Sequence, residues 1–155
     1  MNIAGVDYTL KTQSIDIYLS GCHPPHCQGC HNPEAWDFNV GHPYDEVTCK
    51  LILEKIANNS DIVDNIFVMG GEPLDQPLFE LMTLLGDLRE AGKAIWLFTR
   101  YELDDISPEI GIMCDYIKTG RYVESLTYGT VERYGLKLTT LNQRVWKRGV
   151  DYFNE

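Results

Sequence analysis

Segments of strand period alternate with segments of helix period along this chain, and the alternation predicts an α/β fold on a mostly parallel sheet. Three observations carry that expectation. Short apolar runs recur at Ser14–Ser20, Asn65–Met69, Ala94–Thr99 and Tyr116–Thr119. Helical stripes stand between several of them. No repeat, low-complexity tract or linker interrupts the chain, so 155 residues with 44% hydrophobic content predict one domain, residues 1–155, with a sizeable core.

In Ser14–Ser20, Ile15, Ile17 and Leu19 share one face of a strand. Asp45–Asn58 reads as a helix whose Cys49, Ile52, Leu53 and Ile56 recur at the helical period, which places Cys49 in the core. The run Asn65–Met69 ends in Gly70-Gly71-Glu72-Pro73. Asp75 then suits a helix N-cap, and Leu78, Leu81, Met82, Leu85 and Leu88 stripe a helix that Gly92 ends. Trp96 and Phe98 lie on one face of the third strand and read as core, while Asp104-Asp105 reads as a solvated turn. Cys114, just before Tyr116–Thr119, reads as buried packing. Of the last forty or so residues only Gln143–Lys147 suggests a further strand.

No run reaches the ~18 apolar residues of a membrane span, and no charged-then-apolar leader opens the sequence. Unpaired cysteines without a leader predict the reducing cytoplasm. A formal charge of −10 argues against a groove for nucleic acid, which needs a basic footprint.

The densest chemical signal is Cys22-His-Pro-Pro-His-Cys27-Gln-Gly-Cys30, three of the five cysteines, directly after the apolar run Ile15–Leu19. Thiolates are soft ligands for iron or zinc, and a short loop leaving a strand can aim several at one point. Three thiolates with no fourth in the loop suit a [4Fe–4S] cluster with one iron open to a small molecule. Zinc held by the trio and His31, His26 or His23 is the alternative. Structural zinc sites usually draw on two separated ligand pairs, and no second pair exists here. Of the three histidines, each reads first as loop surface or a supporting hydrogen-bond donor. Trp36, after the helix start Asn32-Pro33-Glu34, reads as packing against the loop.

In a parallel α/β sheet, working residues gather at the carboxyl edge of the strands. The cysteine loop follows the first predicted strand, and Gly70–Pro73 follows the second. Both should open onto one edge. Paired glycines allow close approach of a ligand, and Pro73 holds Glu72 extended, offering an exposed carboxylate to an ammonium group.

These residues together resemble the radical S-adenosylmethionine (SAM) enzymes, and within them the small activating enzymes of anaerobic ribonucleotide reductase. The resemblance runs through Gly21-Cys22 to Cys30-His31-Asn32, Gly70–Pro73, Ile95-Trp-Leu-Phe-Thr99, Asp115-Tyr-Ile-Lys-Thr-Gly120-Arg-Tyr and Asn142-Gln143. It implies a partial (β/α) barrel of the radical SAM type. It implies that Cys22, Cys27 and Cys30 hold a [4Fe–4S] cluster whose fourth iron is chelated by S-adenosyl-L-methionine. Gly70, Gly71, Glu72 and Pro73 would then border the SAM amino group, with Thr99 and Asn142 in peripheral contact. By the same resemblance, an electron from a low-potential donor drives SAM cleavage to a 5′-deoxyadenosyl radical. That radical takes a hydrogen from a glycine of the large subunit of the anaerobic reductase.

The chain departs from the family pattern in three places. Four residues rather than three separate Cys22 from Cys27, an insertion that Pro24-Pro25 can absorb by bulging outward. Val6-Asp7-Tyr8-Thr9 stands where an Asp-Gly-Pro-Gly type stretch is common, and Arg100 stands where a glycine often follows Thr99. Two other functions remain open: a small-molecule radical SAM enzyme resembling 7-carboxy-7-deazaguanine synthase, and a non-enzymatic zinc or iron–sulfur interaction module. So short a chain leaves little material to enclose a small substrate, which favours docking on a protein.

Overall fold

The computed structural model describes residues 1–127, 129 and 131–153. Seven strands form the main sheet, in the order β3 (His42–Pro43), β1 (Asn2–Thr9), β2 (Ser14–Leu19), β4 (Asn65–Gly70), β5 (Ala94–Phe98), β6 (Tyr116–Thr119) and β9 (Arg144–Lys147). The central four, β2, β4, β5 and β6, are parallel, whereas β1, β3 and β9 add antiparallel edges. The sheet is therefore mixed around a parallel centre. A separate hairpin pairs β7 (Val131–Arg133) with β8 (Leu136–Leu138).

Strand alternation assigns the two faces. Ile15, Ile17, Leu19, Ile66, Val68, Ile95, Leu97 and Ile117 point to one side, all at most 1% exposed. Helices α1 (Glu46–Asn58) and α2 (Leu78–Arg89) cover that side with Ile52, Ile56, Leu81, Leu84, Leu85 and Leu88. Each such side chain contributes roughly 1.5–3 kcal/mol by leaving water, so this layer is the main core. Phe67 and Trp96 point the other way and pack with Leu138 and Val145, so the hairpin closes the second face. The core reading of Trp96 holds, and Phe98 lies half-buried beside it.

Strand pairing aligns Leu19 with Gly70 and, further along, Val68 with Leu97 and Phe98 with Lys118. The carboxyl ends of four neighbouring strands therefore release their loops on one edge.

Several elements differ from the sequence expectation. β1 has no clean alternation and carries Gly5 and Asp7, poor strand formers; it forms because the hairpin to β2 supplies a ladder of partners, interrupted once between Ile3 and Gly5. Asp45 is the N-cap of α1, its carboxylate accepting from the Thr48 amide at 2.9 Å. Cys49 is only half-buried, because Ile52 and Ile56 supply the face that meets the sheet. Asp75 does not cap α2. It lies in a 3₁₀ turn, Pro73–Asp75, and Pro77 precedes the helix. Leu78 consequently stays exposed. Asp104 and Asp105 lie exposed in a 3₁₀ turn, as the solvated-turn reading expects, with the Asp105 carboxylate accepting from the Glu102 amide at 3.0 Å. Cys114 is fully buried, and burial pushes its thiol up to about 12, as a packing residue requires. A short helix α3 (Pro108–Gly111) precedes it.

Candidate functional site

The four loops at the sheet's carboxyl edge surround a cavity of about 170 Å³. Cys22, Cys27 and Cys30 line it, and so do Gly70, Gly71 and Glu72. Two motifs forty residues apart in sequence meet there because β2 and β4 are neighbouring parallel strands.

The cysteine loop is pinned at both ends. The Gly21 amide donates to Ala35 at 2.7 Å, and the Cys22 amide to Trp36 at 3.0 Å, so the returning segment runs back against the loop's start. Within the loop, the Cys30 amide reaches Cys27 at 3.2 Å, and the Asn32 amide donates to Cys30 Sγ at 3.4 Å. The extra residue is absorbed outward: His23, Pro24 and Pro25 are exposed. His26 stacks on Trp36 with ring centroids 3.9 Å apart, and its Nε2 lies 2.8 Å from the Cys22 carbonyl. His26 and Trp36 therefore brace the loop. His31 rests near Tyr122 and faces the cavity, while His23 packs on Phe38.

All five cysteines are free thiols. Burial pushes the Cys22 thiol up to about 11, against the pull of the Arg100 guanidinium, so a metal must displace its proton to bind. Among the described residues, no three His, Cys, Asp or Glu side chains are already drawn together tightly enough to hold a metal ion. The donor chemistry fits an iron–sulfur cluster all the same: three soft donors line one cavity, and its wall is partly bare backbone.

That wall explains the paired glycines. Gly70 has φ +109°, and a Cβ there would lie 2.5 Å from the Leu19 amide nitrogen. A Cβ on Gly71 would strike the Gly21 carbonyl and lie 2.9 Å from that of Ala35. The glycines thus let the loops after β2 and β4 pack backbone to backbone. Pro73 opens the following 3₁₀ turn and lies outside the cavity lining.

Glu72 is not the exposed carboxylate that its place in the motif suggests. It is 2% exposed and accepts from the Thr99 hydroxyl at 2.6 Å, the Arg100 amide at 2.8 Å and the Leu74 amide at 3.0 Å. Burial raises its carboxyl above the ordinary range despite those donors. Thr99 lines the cavity beside it. Asn142 does not; its amide donates to the Arg121 carbonyl at 3.0 Å and its oxygen accepts from the Thr140 hydroxyl at 2.6 Å.

The neighbouring Gln143 does face the cavity, and its oxygen holds the Thr139 and Thr140 amides. Lys118 faces it too, on β6; burial lowers its ammonium to about 8, against the pull of Glu72 and Cys27. No local pattern singles out Lys118. Its strand was legible, but the cavity is defined only once β5 and β6 pair.

The chain is similar to the anaerobic ribonucleoside-triphosphate reductase-activating protein of Haemophilus influenzae, 28% identical over 116 residues that cover 70% of this chain and 73% of the relative. The protein of that name from Escherichia coli is 28% identical, covering 71% of this chain and 75% of the relative. That of Enterobacteria phage T4 is 28% identical over 134 residues, 84% of this chain and 81% of the relative. The family model described as a 4Fe-4S single cluster domain matches residues 12–145, which takes in the cysteine loop, the Gly-Gly-Glu-Pro turn and every strand of the parallel centre. This chain belongs to the 4Fe-4S single cluster domain family.

Proposed function

We propose that this chain is a radical SAM activase that installs a glycyl radical on the large subunit of the anaerobic ribonucleotide reductase. The observation that carries the reading is the meeting of the three thiols and the Gly70–Glu72 backbone on one cavity at the carboxyl edge of a parallel sheet. Relatives named as activating proteins of that reductase favour a protein substrate over a small-molecule one.

Cys22, Cys27 and Cys30 would hold a [4Fe–4S] cluster, and S-adenosyl-L-methionine would bind beside it. A cluster held there would relay an electron from a low-potential donor, and reductive cleavage of SAM is the chemistry it would supply. Gly70 and Gly71 border the cavity because their missing side chains let the neighbouring backbones close up, and Lys118 offers a cation suited to a carboxylate. Glu72 and Thr99 hold the two loops in register instead of reaching outward.

The reading includes one radical SAM domain, residues 1–155, folded as a partial (β/α) barrel, and a cytoplasmic setting. The parallel centre with helices on one face supports the barrel. Among the described residues no helix is long and apolar enough to cross a membrane. The test is electron paramagnetic resonance of reductase, SAM, reductant and this protein mixed without oxygen. A glycyl doublet dependent on this chain is expected. A doublet equally strong without it overturns the role.

A further inference from the structure

The segment between Cys22 and Cys27 bulges into solvent, with His23, Pro24 and Pro25 exposed, yet the His23 and Pro25 carbonyls have protein donors. Arg100 Nη1 donates to the Pro25 carbonyl at 2.8 Å, and Nη2 to the His23 carbonyl at 2.7 Å. The same Nη2 lies 3.0 Å from Asp75 Oδ2, and both side chains are nearly buried, 8% and 4% exposed. Asp75 in turn accepts from the His23 amide at 2.8 Å and from the Tyr101 hydroxyl at 2.6 Å. Arg121 Nη2 donates to the same Pro25 carbonyl at 2.7 Å. The loop is thus gripped at the His23 and Pro25 carbonyls by two arginines that follow β5 and β6.

We propose that Arg100 and Asp75 form a positioning pair that seats the long Cys22–Cys27 segment so that its thiols face the cavity. A planar guanidinium suits this task because its fork serves several acceptors in one plane, which an ammonium point charge cannot do. The Arg100 backbone amide is held by Glu72, so the fork is anchored to the Gly-Gly-Glu-Pro turn at its root. Asp75 neutralises the charge that this burial would otherwise strand. A glycine after Thr99 would keep the backbone contact to Glu72 and make none of the side-chain contacts. Arg100 also borders the cavity, but the contacts that define the pair all go to the loop, and the pair acts through it.

The inference rests on the cluster reading above, and its test separates the two. The first measurement uses the metal-free protein: the rate at which iodoacetamide alkylates Cys22, by mass spectrometry, in the parent, Arg100→Lys and the double variant Arg100→Gln/Asp75→Asn. Release of the loop should speed Cys22 alkylation about tenfold in the double variant, and less in Arg100→Lys, with circular dichroism showing a retained fold. The second measures iron per chain after anoxic reconstitution and the spectrum of the reduced cluster. Iron should fall below half of the parent value in the double variant and partly recover in Arg100→Lys. Unchanged alkylation in a folded variant overturns the proposal, as does faster alkylation with full iron uptake and an unchanged spectrum. If the double variant does not fold, Arg100→Lys decides by the same two readouts. A parent that takes up no iron counts against the cluster reading, and the alkylation rates then decide the positioning pair alone.

Discussion

The Thr99 hydroxyl donates to Glu72 Oε1 at 2.6 Å, joining the turn after β4 to the turn after β5 inside the protein. Glu72 spends its remaining acceptor capacity on the Arg100 and Leu74 amides, so this carboxyl organises the cavity from behind.

This arrangement predicts a pH dependence. Burial raises the folded-state value of Glu72 above the ordinary range, so the folded protein holds that proton more tightly than the unfolded chain. The contribution to stability is complete below the unfolded value, about 4.3, and is lost as pH rises through the folded value. Denaturant melts of the metal-free protein from pH 4 upward should show that decline, and Glu72→Gln should flatten it. Equal slopes in the two proteins would place the dependence elsewhere.

Lys118 should act with the same sense of slope reversed, in a higher window. Its folded value is lowered to about 8, so between pH 8 and about 10.4 the unfolded chain holds more protons and stability climbs with pH. Lys118→Met should abolish the climb. The same variant should weaken SAM binding by about tenfold if the ammonium meets a carboxylate, measured by equilibrium dialysis on reconstituted protein.

Replacing Cys22, Cys27 or Cys30 with Ala should each abolish the cluster's visible absorption, from an anoxic parent with about four irons per chain. Cys49→Ala and Cys114→Ala should keep it. Cys114, fully buried in the main core, should nevertheless lose about 1 kcal/mol of stability, whereas half-buried Cys49 should lose less. A normal cluster spectrum in Cys22→Ala would remove that thiol from the ligand set.

Gly71→Ala should destabilise the metal-free protein by about 1–3 kcal/mol, because its methyl group meets the carbonyls of Gly21 and Ala35 before any ligand is present. Thermal melts without iron or SAM read this directly. An unchanged melting temperature would show that the loops part easily and that the glycine serves only the ligand.

The chain's local patterns determined the parallel centre and the chemical class of the site. Ile15, Ile17 and Leu19 alternate because their face meets the helices of the main core, and the cysteine spacing is dense enough to stand out within nine residues. Short-range signals of this kind survive in a linear string because period and spacing are local quantities. What β1, Asp75, Arg100 and Lys118 do was decided only in three dimensions. β1 is a strand because β2 pairs with it, against its own weak propensity. Asp75 resembles a helix cap in sequence, yet its carboxylate serves a loop more than fifty residues earlier. Arg100 reads as a missing glycine until its guanidinium is seen to grip the carbonyls of His23 and Pro25. Glu72 reads as exposed until β5 brings Thr99 and Arg100 against it. Burial and long-range hydrogen bonding depend on which strands become neighbours, and that neighbourhood is a property of the whole sheet.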